Sequence, residues 1–225
     1  MKGLAIGFLG LAGAAFAQEA PLPNLASEGA GAPGGVAQVA MAHRLYEQGI
    51  DRRDAVDVMA AARLAREVRV STLSVPKITE PLPGVEPGEP RPGAPGPVTV
   101  PGMLAAARAL SGQDEVLLTL LDRIEAEVPD GRITATRAES VLPSGQRDVW
   151  SLTFFGGALA EIAVIGDGDG ALGLTVTDET GAPVCVALGP GDIGYCDWVP
   201  ARNGAFSVTV SNPSQAENSY HLLRN

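Results

Sequence analysis

Between Ala163 and Asn225 apolar and polar residues alternate in short runs, and turn residues interrupt each run before it reaches helical length. Leu172, Leu174 and Val176 alternate with Gly173, Thr175 and Thr177, and Phe206, Val208 and Val210 with Ser207 and Thr209. This period of two predicts half-buried strands. GDGDG, DETGAP, GPGD, PARNG and SNPSQ put Gly, Pro, Asn or Asp where the chain must reverse, at spacings suited to a β-sandwich.

The residues Gly166, Asp167, Gly168, Asp169, Leu172, Leu174, Val176, Asp178, Gly181, Cys196, Trp198, Pro200, Gly204, Phe206, Val208, Val210, Asn212, Tyr220, Leu222 and Asn225 follow a recognisable order and spacing. In them the last third of the chain resembles the bacterial pre-peptidase C-terminal domain, a small jelly-roll-like sandwich of secreted proteins. The resemblance implies an accessory, non-catalytic module. Where the family usually carries further acidic residues this chain has Ala171 and Gly173, which leaves few oxygen ligands for a calcium ion.

Upstream the pattern changes period. Met1–Ala17 reads as a secretory signal peptide, with Lys2 as the charged start, Leu4–Phe16 as the apolar stretch and Ala15-Phe16-Ala17 as the cleavage site, so Gln18 is the expected mature N-terminus. Residues 18–35 are small, polar and broken by Pro and Gly, and read as a disordered lead-in. Val36–Gln48 fits a helix ending at Gly49, and a second helix capped by Asp51 runs to about Val68, making a hairpin over 36–70. Eight prolines between Pro76 and Pro97 mark 71–101 as a Pro-rich linker. Residues 102–129 hold two further helices, the second with Leu117, Leu120, Leu121 and Ile124 on one face, which pack on the hairpin as a four-helix cluster. Pro129-Asp130-Gly131 ends the helical pattern, and 132–225 forms the sandwich. The expected fold class is α+β, with helices and an antiparallel jelly-roll-like sandwich as segregated, separable units.

Chemistry-bearing motifs are sparse. GDGDGALG has dinucleotide-like glycine spacing, but a strand rather than a helix follows it. Asp167, Asp169 and Asp178 fall at positions one, three and twelve of a calcium-loop count, yet Ala171 and Leu172 stand where a ligand and the turn glycine are needed, so an acidic turn is the reading and no metal is expected. His43 and His221, the two histidines, lie far apart in sequence, with no Gly-x-Ser-x-Gly elbow or HExxH pair, and packing or surface roles suffice for them. Arg52, Arg53, Arg63, Arg66 and Arg69, interspersed with Asp51, Asp54, Asp57 and Glu67, read as a salt-bridged helix face. Trp150 and Trp198 read as core anchors.

Cys185 and Cys196 are expected to form a disulfide, because export leads to an oxidising compartment. If Val184–Leu188 and Ile193–Trp198 are the arms of a hairpin, Leu188 faces Ile193 and Cys185 falls opposite Cys196, at the Cα separation of about 4.5 to 5.5 Å of facing antiparallel residues. The net charge of −10 disfavours nucleic acid and anionic membrane surfaces. These observations predict a periplasmic or extracellular, non-catalytic interaction or accessory protein with a protein or glycan partner in the cell envelope, without cofactor. An envelope hydrolase or its accessory subunit, and a structural envelope protein, are the alternatives.

Overall fold

The computed structural model describes residues 22–26, 31–88, 96–187 and 191–225. Met1–Ala17 and the cleavage point before Gln18 lie outside them. Among the described residues the elements run α1 (Gly35–Arg52), α2 (Ala55–Arg66), β1 (Val68–Thr72), β2 (Lys77–Pro81), α3 (Val100–Ser111), α4 (Glu115–Ala126), β3 (Ile133–Leu142), β4 (Gln146–Phe154), β5 (Ala160–Ile165), β6 (Gly173–Thr177), β7 (Pro183–Ala187), β8 (Ile193–Trp198), β9 (Gly204–Asn212) and β10 (Asn218–Arg224). The chain is α+β: four helices, and two five-stranded sheets facing each other as a sandwich.

The first sheet has the order β1-β3-β10-β5-β8 and the second β2-β4-β9-β6-β7. Every pairing is antiparallel except that of β1 with β3. Inward side chains of both sheets, among them Leu152, Phe154, Ile162, Val164, Leu174, Trp198, Phe206, Val208 and Leu222, form one buried core. Phe154 packs edge-on against Trp198 at 4.9 Å and Phe206 at 5.8 Å between ring centroids, the geometry that aromatic quadrupoles favour. Trp150 and Trp198 are core residues, at 3% and 6% exposure.

The first part of the expected linker, as far as Pro81, belongs to the sandwich. Residues 68–81 supply an edge strand to each sheet, β1 beside β3 and β2 beside β4, and between them Leu73 and Val75 plug the core. Proline forbids central strands but not edge strands, and Pro81 closes β2 where it pairs with Gln146 at the rim. The helical and β parts therefore interlock rather than follow one another.

The hairpin of α1 and α2 is tighter than its sequence suggests. Gly49 does not end α1, because α1 continues to Arg52 and Arg53 takes the left-handed cap at φ 54°. Gly49 is instead a packing glycine, since a Cβ there would come within 2.7 Å of Val58 Cγ2 on α2. Asp54, not Asp51, caps α2 by accepting from the N–H groups of Val56 and Asp57. The α2, α3 and α4 cluster packs Ala55, Val58, Met59, Ala107, Leu121 and Ile124 together.

α1 lies on the outer face of the first sheet, burying Val36, Val39 and Ala40 against Ala135, Ala163, Ile165 and Leu223. Its cap comes from the sheet. The buried Glu161 of β5 accepts through Oε1 from Gly34 N at 2.9 Å and Ala37 N at 3.3 Å, and from the Tyr195 hydroxyl at 2.9 Å. Two glycines permit this approach. A Cβ on Gly34 would run into the Glu161 carboxylate, and one on Gly35 would come within 2.6 Å of the Thr134 carbonyl oxygen.

The lead-in is also anchored where it is described. Asn24 is fully buried, its N–H donating to Asp178 Oδ2 at 2.8 Å and its side chain accepting from Arg202 N at 2.9 Å. A polar, Pro-rich segment can be held by backbone hydrogen bonds without burying apolar area, which hydrophobicity alone does not reveal.

The disulfide joins Cys185 and Cys196, but not across a hairpin. β7 pairs with β6 in the second sheet and β8 with β5 in the first, so the bond stitches the two sheets at 6.0 Å between Cα atoms. Leu188, Gly189 and Pro190 of the expected turn lie outside the described residues. β7 and β8 each have their own antiparallel partner, in different sheets. Closing so short a loop restricts the unfolded chain by roughly 3 kcal/mol in the entropic account.

This architecture predicts that a fragment spanning Arg132–Asn225 does not reproduce the sandwich. It lacks β1, β2, Leu73 and Val75. Urea unfolding followed by tryptophan fluorescence is expected to show loss of cooperativity or a much lower midpoint than the full chain, and an unchanged midpoint would contradict the interlock.

Candidate functional site

At the sandwich edge closed by β1 and β2, polar side chains of both sheets converge on Asp148. Asp148 sits on β4 in the same alternating phase as Trp150, Leu152 and Phe154, and is fully buried between the sheets. An ionised carboxylate there demands compensation. Lys77 Nζ lies 2.7 Å from each oxygen, Thr79 Oγ1 donates at 2.5 Å, and from the opposite sheet Ser140 Oγ donates at 3.0 Å and Tyr220 Oη at 2.6 Å. Trp150 Nε1 donates in turn to Tyr220 Oη at 2.9 Å. Burial, then the Asp148 charge, push the Tyr220 phenol far above its ordinary range, so it remains a donor. The network ties four strands, β2, β3, β4 and β10, and both sheets together.

Outside this network run two grooves that share Lys77 and Glu139. One, of about 510 Å³, is walled by the consecutive residues 70–75 of β1 and the crossover, with Lys77, Arg137 and Glu139 beside them. The other, of about 530 Å³, lies among Pro97, Ser140, Val141, Ser219 and His221. On β3, Arg137 pairs with Glu139 at 2.8 Å, and Glu139 lies 3.8 Å from His221 Nε2 on β10.

His43 and His221, 178 positions apart in sequence, meet behind this wall. Both line a cavity of about 70 Å³ where α1, β3, β10 and the start of α3 converge, and Arg137 lines it too. Both residues are buried, at 7% and 8% exposure. Burial first, then His221 and Arg137, lower His43 to about 4, and burial and Arg137 lower His221 to about 4. One turn further along α1, Glu47 is raised to about 7 by desolvation, by repulsion from Asp192 and by a carboxyl hydrogen bond with Asp192.

The remaining predicted positions do other work. Asp167 accepts from Asp169 N at 3.2 Å and Ser219 N at 2.6 Å, whereas Asp178 accepts from Thr180, Ala182 and Asn24, so these acids order separate turns. Desolvation would raise the Asp178 pKa, but the Thr180 hydroxyl and the three N–H groups outweigh it and lower it. Among the described residues no group of three His, Cys, Asp or Glu side chains is placed to hold a metal. Arg63 pairs with Glu127 at 3.0 Å and Arg66 donates to the Glu125 and Glu127 carbonyl oxygens, so these arginines fasten α2 to the end of α4. Among the described residues no helix is long and apolar enough to cross a membrane.

Asp148, Lys77, Arg137, Glu139 and Tyr220 are absent from the sequence-based site. Asp148 carried a usable signal, an acid in phase with a core stripe. Lys77 carried none, standing in a segment whose prolines mask its strand.

No family model matches the chain, and no curated protein does. Among solved structures the chain is similar to the pre-peptidase C-terminal domain of collagenase from Bacillus anthracis, at 15% identity and a TM-score of 0.35, over 39% of this chain and 87% of that one.

Removing the carboxylate tests the polar joint. Asp148→Ala leaves the Lys77 ammonium and several hydroxyls without their partner, and breaking a buried pair costs about 3 to 5 kcal/mol. Chemical denaturation is expected to show a loss of that order.

The histidines and Glu47 predict a stability maximum near neutral pH. Imidazoles held near 4 in the fold protonate near 6.5 once unfolded, so stability falls as pH drops from 6.5 towards 4. At pH 5 the loss is about 2 kcal/mol per histidine. Glu47, raised to about 7, acts oppositely, its contribution present below 4.5 and lost as pH rises through 7. Thermal melts between pH 5 and 9 check this, and His43→Gln with His221→Gln is expected to flatten the acid limb.

Proposed function

We propose that the protein is an exported, non-catalytic accessory module that binds an extended segment of a partner protein along the β1 edge. The observation that carries this reading is the groove of about 510 Å³ beside the terminal strand of the first sheet, walled by six consecutive residues, 70–75. Such an edge offers backbone groups to an added strand, and pockets beside it select side chains. Lys77, Arg137 and Glu139 supply charges of both signs for register. A protein partner fits better than a glycan, because Trp150 and Trp198 are buried in the core rather than presented for sugar stacking. Export is supported by the Cys185–Cys196 bond and by the signal-peptide pattern of Met1–Ala17.

The test is capture of partners from the cell-envelope fraction, followed by hydrogen exchange on the complex. Protection is expected at residues 70–75, and Ser74→Trp, which fills the groove, is expected to weaken binding at least tenfold. Protection confined to the helices, with full binding by the Ser74→Trp variant, would overturn the reading.

A further inference from the structure

The end of the first sheet where α1, the start of β8 and the start of β10 meet holds a group of oxygens that is not fully satisfied. Asp192, just before β8, is buried at 4% exposure, and its Oδ2 accepts from Gly168 N. From α1 the exposed Glu47 brings its carboxyl into hydrogen-bond contact with that of Asp192, where Asp51 adds negative charge and Arg44 opposes it. Among the described residues neither Glu47 nor Asp192 has a Lys or Arg within ion-pair distance. The third group is Asn218, the first residue of β10, which is fully buried and whose Oδ1 has no hydrogen-bond partner. That oxygen faces the acids. A Cβ on Gly166 would stand 2.9 Å from Asn218 Oδ1 and 2.7 Å from Asp192 Oδ2, so both oxygens look into one gap that glycine leaves open. Turning the amide round does not relieve it. Asn218 Nδ2 donates to the Gly170 carbonyl oxygen at 3.2 Å, and exchanging the two atoms would set acceptor against acceptor. A buried acceptor without a donor marks a place where something else supplies the positive partner.

We propose that this gap binds a hard divalent cation, calcium or magnesium, between the carboxylates of Glu47 and Asp192 and the amide oxygen of Asn218. Donor chemistry sets the class. All three donors are oxygens, with no histidine or thiolate among them, which favours calcium and magnesium over zinc or copper. Sign sets it as well. Two carboxylates in contact repel once both are ionised, and a cation removes that repulsion while giving Asn218 Oδ1 its missing partner. Three protein oxygens are fewer than a full shell, so water completes it from the exposed Glu47 side, and affinity in the range of extracellular modules follows, on the order of 10⁻⁴ to 10⁻³ M. The site is distinct from the calcium-loop count of Asp167, Asp169 and Asp178, because its donors come from three elements distant in the chain. With the ion bound, α1 is fastened to the first sheet at both ends, by Glu161 at Gly34 and by the cation at Glu47.

Calorimetric titration of the full chain tests this, with metal removed by chelator and the pH held at about 8, where carboxyl groups are ionised. Calcium chloride and magnesium chloride are the titrants, and sodium chloride of equal ionic strength is the blank. One site is expected for at least one of the two ions, with the Gly168 N–H and Asn218 side-chain amide NMR signals shifting at the same midpoint. Glu47→Gln changes an exposed helix position that the fold does not need, and is expected to weaken binding at least about tenfold, since ligand charge sets affinity. Asn218→Asp keeps the shape and adds a third carboxylate, so it is expected to tighten binding by about as much. No response to either ion at about 10 mM, well above the expected range, or equal affinity in the unmodified chain and the Glu47→Gln variant, would overturn the proposal. The peptide reading of the β1 edge is unaffected by either result.

Discussion

One buried charge governs how this sandwich closes. Asp148 stands where the alternation of β4 calls for an apolar residue, and the surrounding chain is arranged to satisfy it. Two of its partners, Lys77 and Thr79, come from β2, and two others, Ser140 and Tyr220, from the opposite sheet. The segment carrying β2 must therefore dock before the acid is compensated, and docking brings Leu73 and Val75 with it as the apolar plug. An isosteric apolar pair could stabilise such a site equally well. What the ionic version adds is register: Thr79 faces Asp148, and a slip of one residue would turn Lys77 and Thr79 outwards.

The helices depend on a second carboxylate in the same way. α1 has no side-chain cap of its own at Gly34, and Glu161 from β5 supplies one. Gly34 and Gly35 let the helix start close enough for that bond. β5 is thereby buried on both faces, by the sandwich core on one side and α1 on the other, and its sequence AEIAVI is continuously apolar apart from the capping acid. β9, FSVTVS between Phe206 and Ser211, alternates instead, because among the described residues no helix covers the outer face of the second sheet. These two patterns distinguish a doubly covered strand from a singly covered one.

Most of the strands and helices were legible for that reason. Period two over β6 and β9, and period 3.6 over α2 and α4, reflect burial on one face, which is a local property of the sequence. What was not legible depends on partners distant in the chain. The sheet to which β7 and β8 belong leaves no trace in their own residues, so the disulfide was expected from compartment and spacing while its setting, between sheets rather than within a hairpin, was not. Prolines around β2 resembled those of a free tether, because edge pairing needs only one side of the backbone. The meeting of His43 with His221 is likewise a product of α1 lying on the outer face of the first sheet, to which β10 belongs.

The order of elements explains the single parallel pairing. A parallel neighbour requires a crossover connection, usually helical. After β1 and β2 the chain leaves the sandwich, builds α3 and α4 against α2, and re-enters as β3 alongside β1. α3 and α4 therefore serve as crossover and as half of the helical cluster at once. The cluster cannot complete itself until the chain has passed through β1 and β2, and β1 has no neighbour until the chain has returned. The opposite edge, by contrast, is closed locally by β7, β8 and a disulfide between residues eleven apart. The two edges thus differ in kind: one is sealed covalently once oxidised, whereas the other is held by charge, hydrogen bonds and a crossover through the helices. The two grooves that share Lys77 and Glu139 lie at the second.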